Sequence, residues 1–327
     1  MTKPTLPLSL ANEEPKPLPA LRHWPATRHV FDEDSIWAIN AALQIGRPLL
    51  LRGDPGVGKS QLARAAAHAL QWPFLSRVIN GRCEPEDLLF RFDAVARLAQ
   101  AQILSRDADP SKLDAKSFLL PEVLWWALAP NAARVQFTTA REACGLTSDA
   151  YTPDACGHDF VPDKGVVVLL DEMDKADSEV PNGLLEILSL GGFQLPYGGE
   201  YVKAEGIAPL IIITTNEDRE LPPAFLRRCL VHQMDLPEEP LPFEAHLLAR
   251  VRAHFVEEDV SRDLALKAIR QLVKDREKLK RLDLPLPGQA ELLDLLRAVV
   301  GLTPSGADPK VTLDRLKDFA FSKHRPT

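Results

Sequence analysis

Residues 49–67 read LLLRGDPGVGKSQLARAAA: an apolar run, a glycine-rich stretch ending in Lys-Ser, then alanines and leucines with no turn residue among them. Leu49, Leu50 and Leu51 have the unbroken apolar character of a strand covered on both faces in a parallel sheet. Gly53, Gly56 and Gly58 can take the positive φ that turns successive backbone N–H groups into one cavity, and Lys59 adds a fixed charge there. The next segment sets Leu62, Ala65, Ala66, Ala69 and Leu70 on one side, which predicts a helix whose positive dipole end faces the same place. The spacing Gly53-x-x-x-x-Gly58-Lys59-Ser60 matches the P-loop pattern at every position, with the Ser60 hydroxyl available to Mg²⁺. Such a turn can also be a plain connector. The complete match in a strand–loop–helix context favours a nucleotide site.

Three more stretches work outward from that loop. Residues 165–177, GVVVLLDEMDKAD, place Asp171 and Glu172 at the carboxyl end of a second apolar run, where ligands bind in open α/β sheets. Beside a P-loop, the first acid suits the Mg²⁺ shell together with Ser60, and the second suits the attacking water; helix-capping acids at a strand end are the plain alternative. Residues 209–216, PLIIITTN, end a third run on Asn216, which can hydrogen-bond a water or γ-phosphate without competing for the metal. Strand-end Asn residues also simply make turns. In residues 217–237, EDRELPPAFLRRCLVHQMDLP, Pro222 and Pro223 open a short helix that ends on Arg227 and Arg228. These arginines fit charge compensation at a helix end or a finger inserted into a neighbouring subunit's site.

Bulk properties frame the motifs. A chain of 327 residues that is 45% apolar supports two domains plus extensions. Cys83, Cys144, Cys156 and Cys229 have no paired spacing, and the sequence has no signal peptide or membrane-spanning run, so a cytoplasmic protein with no membrane association is expected. The net charge of −7 argues against holding nucleic acid by a broad basic surface. Six prolines in the first 25 residues predict a flexible or extended arm, with order beginning near Val30. Ile36, Ile39 and Leu43 then keep helical spacing after Asp34 or Ser35 as cap, and Gly46 and Pro48 end that helix. Cys156-Gly-His158 lacks the second ligand pair that a zinc site needs.

The P-loop, VVVLLDE, ITTN and LPPAFLRR, in that order, resemble an AAA+ ATPase, and TTNEDRELPPAFLRRC resembles its MoxR-like branch more than others. The resemblance covers about residues 30–322. It implies an α/β P-loop core, a parallel sheet flanked by helices, over residues 30–238, and a smaller all-α lid over 239–327, after the arm at 1–29. Nucleotide contacts are then expected from Gly53, Asp54, Pro55, Gly56, Val57, Gly58, Lys59, Ser60 and Gln61. Ser60 and Asp171 would serve Mg²⁺, with Glu172 and Asn216 catalytic. Arg228 aligns best with the arginine finger, with Arg227 as rival. The resemblance also places at Asn80 a polar residue that restrains Glu172.

Two insertions stand out. Residues 193–206 resemble a β-hairpin around Gly198-Gly199 facing a pore or client, or an ordinary solvent hairpin. Residues 101–163 form an excursion in which Trp125 and Trp126 pack in a core or meet a partner. Where relatives carry a sensor 2 Arg in the lid, this sequence has Gln289, Ala290 and Glu291, so sensor 2 is absent or replaced by Lys280 or Arg281.

The resemblance implies an ATP phosphohydrolase, using ATP and Mg²⁺, that forms a homo-oligomeric ring, a hexamer in the family. It would remodel or assemble a client protein, with a von Willebrand factor A-domain partner. The alternatives are a motor subunit of a McrB-like nuclease or defence system, which the acidic charge disfavours, and a nucleotide-dependent scaffold with little turnover.

Overall fold

The computed structural model describes residues 15–321 apart from 22–23, 104–112, 146–163, 199, 238, 283 and 285. Cys156, His158 and Gly199 lie outside the described residues.

The described residues open with β1 (Lys16–Leu18) and β2 (Thr27–His29), an antiparallel pair. From residue 15 on, this corrects the expectation that order begins near Val30, because the segment is docked well before it. Leu18 is buried in the core, and Arg64 donates to the carbonyls of Pro19 and Pro25 while lying over the Trp24 ring. Proline leaves carbonyls unpaired within its own segment, and a buried guanidinium satisfies them. Helix α1 (Glu33–Ile45) follows, capped by Asp32, not by Asp34 or Ser35: the Asp32 carboxylate accepts from Ser35 N at 2.7 Å. Gly46 ends it in the left-handed conformation.

Next come β3 (Leu49–Arg52), α2 (Lys59–Leu70) and β4 (Phe74–Val78). An excursion opens before residue 101, with β5 (Phe90–Phe92), α3 (Ala94–Ile103), β6 (Leu119–Pro121), α4 (Val123–Leu128) and α5 (Pro130–Cys144). β5 pairs with β6, and every residue of α4 is buried. Both tryptophans are buried core residues, and Trp125, which meets Phe193 edge-on at 5.4 Å, ties the excursion to the later hairpin. The chain then runs through β7 (Val167–Asp171), α6 (Glu179–Leu190), the paired β8 (Gly192–Gln194) and β9 (Tyr201–Lys203), β10 (Leu210–Thr214), α7 (Pro223–Leu226) and β11 (Leu230–Gln233).

Five of these strands form one parallel sheet in the order β11-β3-β10-β7-β4. Its apolar runs obey the two-residue period of a sheet covered on both sides. Leu50, Val168, Leu170, Ile211 and Ile213 face one cluster with α4, α6 and the hairpin. Leu49, Leu51, Val167, Leu169, Leu210 and Ile212 face another with α1, α2 and the N-terminal strands.

The last four helices are α8 (Pro240–His254), α9 (Arg262–Lys280), α10 (Gln289–Leu302) and α11 (Pro309–Phe321). They enclose a third core around Leu247, Ile269, Leu272, Leu292 and Leu296, to which Val57 of the glycine loop and Leu236 also belong. The architecture is therefore an α/β core plus a smaller all-α lid, and the lid's core includes a residue of the phosphate loop.

Candidate functional site

The carboxyl ends of β3, β7 and β10 lie side by side where α2 begins, so the strand ends, the glycine loop and a helix N-terminus converge. Gly53, Gly56 and Gly58 have φ of 131°, 80° and 104°. Gly53 is also a close approach: a Cβ there would stand 2.3 Å from the Met234 carbonyl oxygen.

Lys59 is 7% exposed and donates to Gly53 O at 2.6 Å, Asp54 O at 3.0 Å and Asn216 Oδ1 at 2.8 Å. Burial pushes its ammonium below the usual lysine range, opposed by Asp171, Asp54, Asp174 and Glu217. Since Asn216 spends its carbonyl oxygen on Lys59, its amide N–H groups are left as donors toward the cavity. The Ser60 hydroxyl donates to the Asp171 carboxylate, 2.9 and 3.0 Å from its two oxygens. The Thr214 hydroxyl donates to Asp171 Oδ1 at 2.5 Å and accepts from Glu172 N at 3.0 Å. Glu172 itself sits in the left-handed region at φ 62°, ψ 47°.

A cavity of ≈ 420 Å³ runs from this cluster to the lid. Pro55, Gly56, Val57, Gly58, Lys59, Ser60, Gln61, Asp171, Glu172 and Asn216 line it; Gly53 and Asp54 do not, and act through the carbonyls that hold Lys59. Asn80 turns away, its Oδ1 accepting from Arg82 N at 2.9 Å, and the structure does not bring it to Glu172. Arg227 and Arg228 are exposed at the end of α7, off the cavity of their own chain, on a turn pinned by fully buried Phe225. Neither side chain has a hydrogen bond or ion pair among the described residues. Lys280 and Arg281, at the end of α9, do not line the cavity, whereas Gln289 and Ala290 do.

Much of the cavity wall escaped sequence reasoning. Thr27, Arg28, His29 and Val30 come from β2 and the residue after it, Arg250 and His254 from α8, and Leu293, Asp294 and Arg297 from α10. Arg250 donates to Val30 O, and Arg28 to Ala253 O at 3.5 Å, so β2 is tied to the lid. Burial, then the Arg250 guanidinium, pushes His29 down to about 3; burial, then Arg297, Arg250 and Arg28, pushes His254 down to about 4. Both imidazoles are neutral at physiological pH, and His29 Nε2 has no hydrogen-bond partner among the described residues. A usable signal existed in the spacing, since Arg250 and His254 are four apart and Ala290, Leu293 and Arg297 follow one helical stripe.

Lined by the glycine loop and strand-end polar groups on one side and by the lid on the other, the cavity suits a nucleoside polyphosphate. Ser60 and Asp171 offer adjacent hard oxygens. Among the described residues there is no group of three or more His, Cys, Asp or Glu that could hold a metal alone. That donor set fits Mg²⁺, which takes few protein oxygens and completes its shell from phosphates and water. Among the described residues, no helix is long and apolar enough to cross a membrane.

A family model described as the AAA domain, dynein-related subfamily, matches residues 48–229, more than half of the chain and the whole stretch from the P-loop strand to the end of α7. No curated protein matches the chain.

Proposed function

The chain belongs to the AAA domain family, dynein-related subfamily, and from that premise we propose that it is a Mg²⁺-dependent ATPase of MoxR-like type, working as a homo-oligomeric ring that remodels or assembles a client protein. Family membership implies nucleotide binding and suggests ATP hydrolysis. The observation that supports the ATPase part of this reading is the single cluster in which Lys59 reaches Asn216 and Ser60 reaches Asp171, with Glu172 alongside on the same cavity.

In this reading Lys59 gives up one loop carbonyl for a γ-phosphate oxygen, an exchange of charge-assisted bonds that keeps the ammonium satisfied. Asn216 donates its amide N–H to the γ-phosphate or the attacking water. Glu172 accepts the proton of that water as it attacks in line, and the γ-phosphoryl group leaves ADP. Ser60 and Asp171 would hold Mg²⁺, which when bound would neutralise charge on the phosphates. Arg228, with Arg227 as the rival, completes the site from a neighbouring subunit; its exposure off its own cavity supports a role in trans. The α8–α11 lid follows the nucleotide because Val57 lies in its core. A hexameric ring and a von Willebrand factor A-domain partner complete the proposal.

The test is specific ATPase activity against protein concentration for wild type, Arg227→Ala and Arg228→Ala. A specific rate that rises with concentration in wild type, and stays low in the Arg228→Ala variant until Glu172→Gln subunits, which keep Arg228, are mixed in, supports sites shared between subunits. A rate per subunit independent of concentration and unaffected by Arg227→Ala and by Arg228→Ala overturns the ring.

A further inference from the structure

The apolar run of β10 ends in two threonines that do different work. Thr215 accepts from Glu217 N at 2.9 Å, a local turn contact. Thr214 reaches across to β7. It is 2% exposed, and a buried hydroxyl is costly unless bonded, whereas valine would fill the same β-branched space without that cost. Its oxygen is used twice, toward Glu172 N and toward Asp171 Oδ1. A backbone N–H cannot accept and an ionised carboxylate cannot donate, so the direction is fixed: Glu172 N–H to Thr214 Oγ1, Thr214 O–H to Asp171.

Glu172 needs such a partner. At φ 62° it holds a left-handed backbone that side-chain-bearing residues avoid, and its N–H is turned to the threonine. On its other side the Glu172 carbonyl accepts from Lys175 N at 3.0 Å, while fully buried Met173 anchors the turn. Thr214 thus closes one end of the brace that aims the Glu172 side chain, and the same proton steadies Asp171. Were the Ser60 oxygen given to a bound Mg²⁺, its hydrogen bond to Asp171 would be lost and the one from the Thr214 hydroxyl would remain.

We infer that Thr214 is a positioning residue for hydrolysis, setting the metal-side acid Asp171 and the water-side acid Glu172 in register through one hydroxyl. The inference rests on the ATPase reading above. It is tested by kcat and KM for ATP, affinity for a fluorescent ADP and thermal melting of Thr214→Val and Thr214→Ser beside wild type and Glu172→Gln. Thr214→Val is expected to lower kcat about ten- to a hundredfold while ADP affinity stays within about threefold, and Thr214→Ser to restore kcat to within about threefold of wild type. If Thr214→Val does not fold, Thr214→Ala read against Thr214→Ser gives the same comparison, the alanine variant lying at least about tenfold lower in kcat. A hydroxyl-free variant that folds and hydrolyses ATP within about twofold of wild type overturns the inference. So does a loss that the serine variant shares, or one in which kcat, ADP affinity and melting fall together. Wild type no faster than Glu172→Gln would instead remove the ATPase reading itself, and the inference with it.

Discussion

Gly56→Ala probes how the phosphate loop meets the lid. Gly56 has φ 80°, and a Cβ there would stand 3.1 Å from the Ala290 Cβ and 3.5 Å from Glu291 Oε2. The left-handed backbone costs an alanine roughly 1–2 kcal/mol, and the crowded contact adds about 1 kcal/mol because α10 must yield by a few tenths of an ångström. Ala290→Gly removes the opposing methyl and itself costs about 0.5–1 kcal/mol near the helix start. If the loop rests on α10, the double variant is less destabilised than the sum of the singles by about 1 kcal/mol, since only the steric part is relieved. Urea unfolding without nucleotide, followed by tryptophan fluorescence, measures all four proteins. Since Gly56 lines the cavity, ADP affinity should fall in Gly56→Ala and partly recover in the double variant. Energies that add to within about 0.3 kcal/mol would refute the contact between loop and lid.

Other consequences follow from burial at the same interface and beyond it. His29 and His254 are held neutral in the fold, at about 3 and about 4 against an ordinary 6.5, so the unfolded chain binds more protons between those values. Stability is then complete above pH 6.5 and declines as pH falls toward 4, by at most about 1.4 kcal/mol per pH unit for each histidine, less for the partly solvated His254; urea midpoints across this range should flatten in His29→Phe. Arg64→Leu strips the donor from Pro19 O and Pro25 O and should cost roughly 2–4 kcal/mol, and Arg64→Lys should not restore it, with proteolysis before Val30 as a second readout. Burial pushes the Cys229 thiol up to about 12, so peptide mapping after alkylation at mildly alkaline pH should find it unmodified in the native chain and labelled in urea.

What the sequence made legible was what short-range patterns encode. Apolar runs at Leu49, Val167 and Leu210 became the central strands, because strands buried on both faces need no alternation. The glycines of the loop have the positive φ that only their missing Cβ allows cheaply. Partners distant in the chain were hidden. β1 and β2 have three residues each, among prolines, and are held by Arg64, far along the chain, a tether that composition cannot show. The helix cap fell at Asp32 because an aspartate serves the N–H three residues on, so the Ser35 that looked like a cap supplies the N–H donor instead. Nothing in the strand that ends on Asn216 singles out Thr214; its work depends on the register that sets β10 beside β7. The lid's contribution was hidden for the same reason, since Arg250, His254 and Arg297 look like solvated faces of amphipathic helices until β2 is laid against α8.

The central claim is that Glu172 takes the proton of the attacking water in a site that binds ATP through Lys59. The most direct measurement is a single-turnover experiment with radiolabelled ATP and Mg²⁺ on wild type and Glu172→Gln, with bound nucleotide and released phosphate measured in the same samples. The account predicts ATP bound by both proteins within about threefold in affinity, with phosphate released by wild type at least about a hundredfold faster. Equal phosphate release by the two proteins, with ATP bound by both, would contradict it.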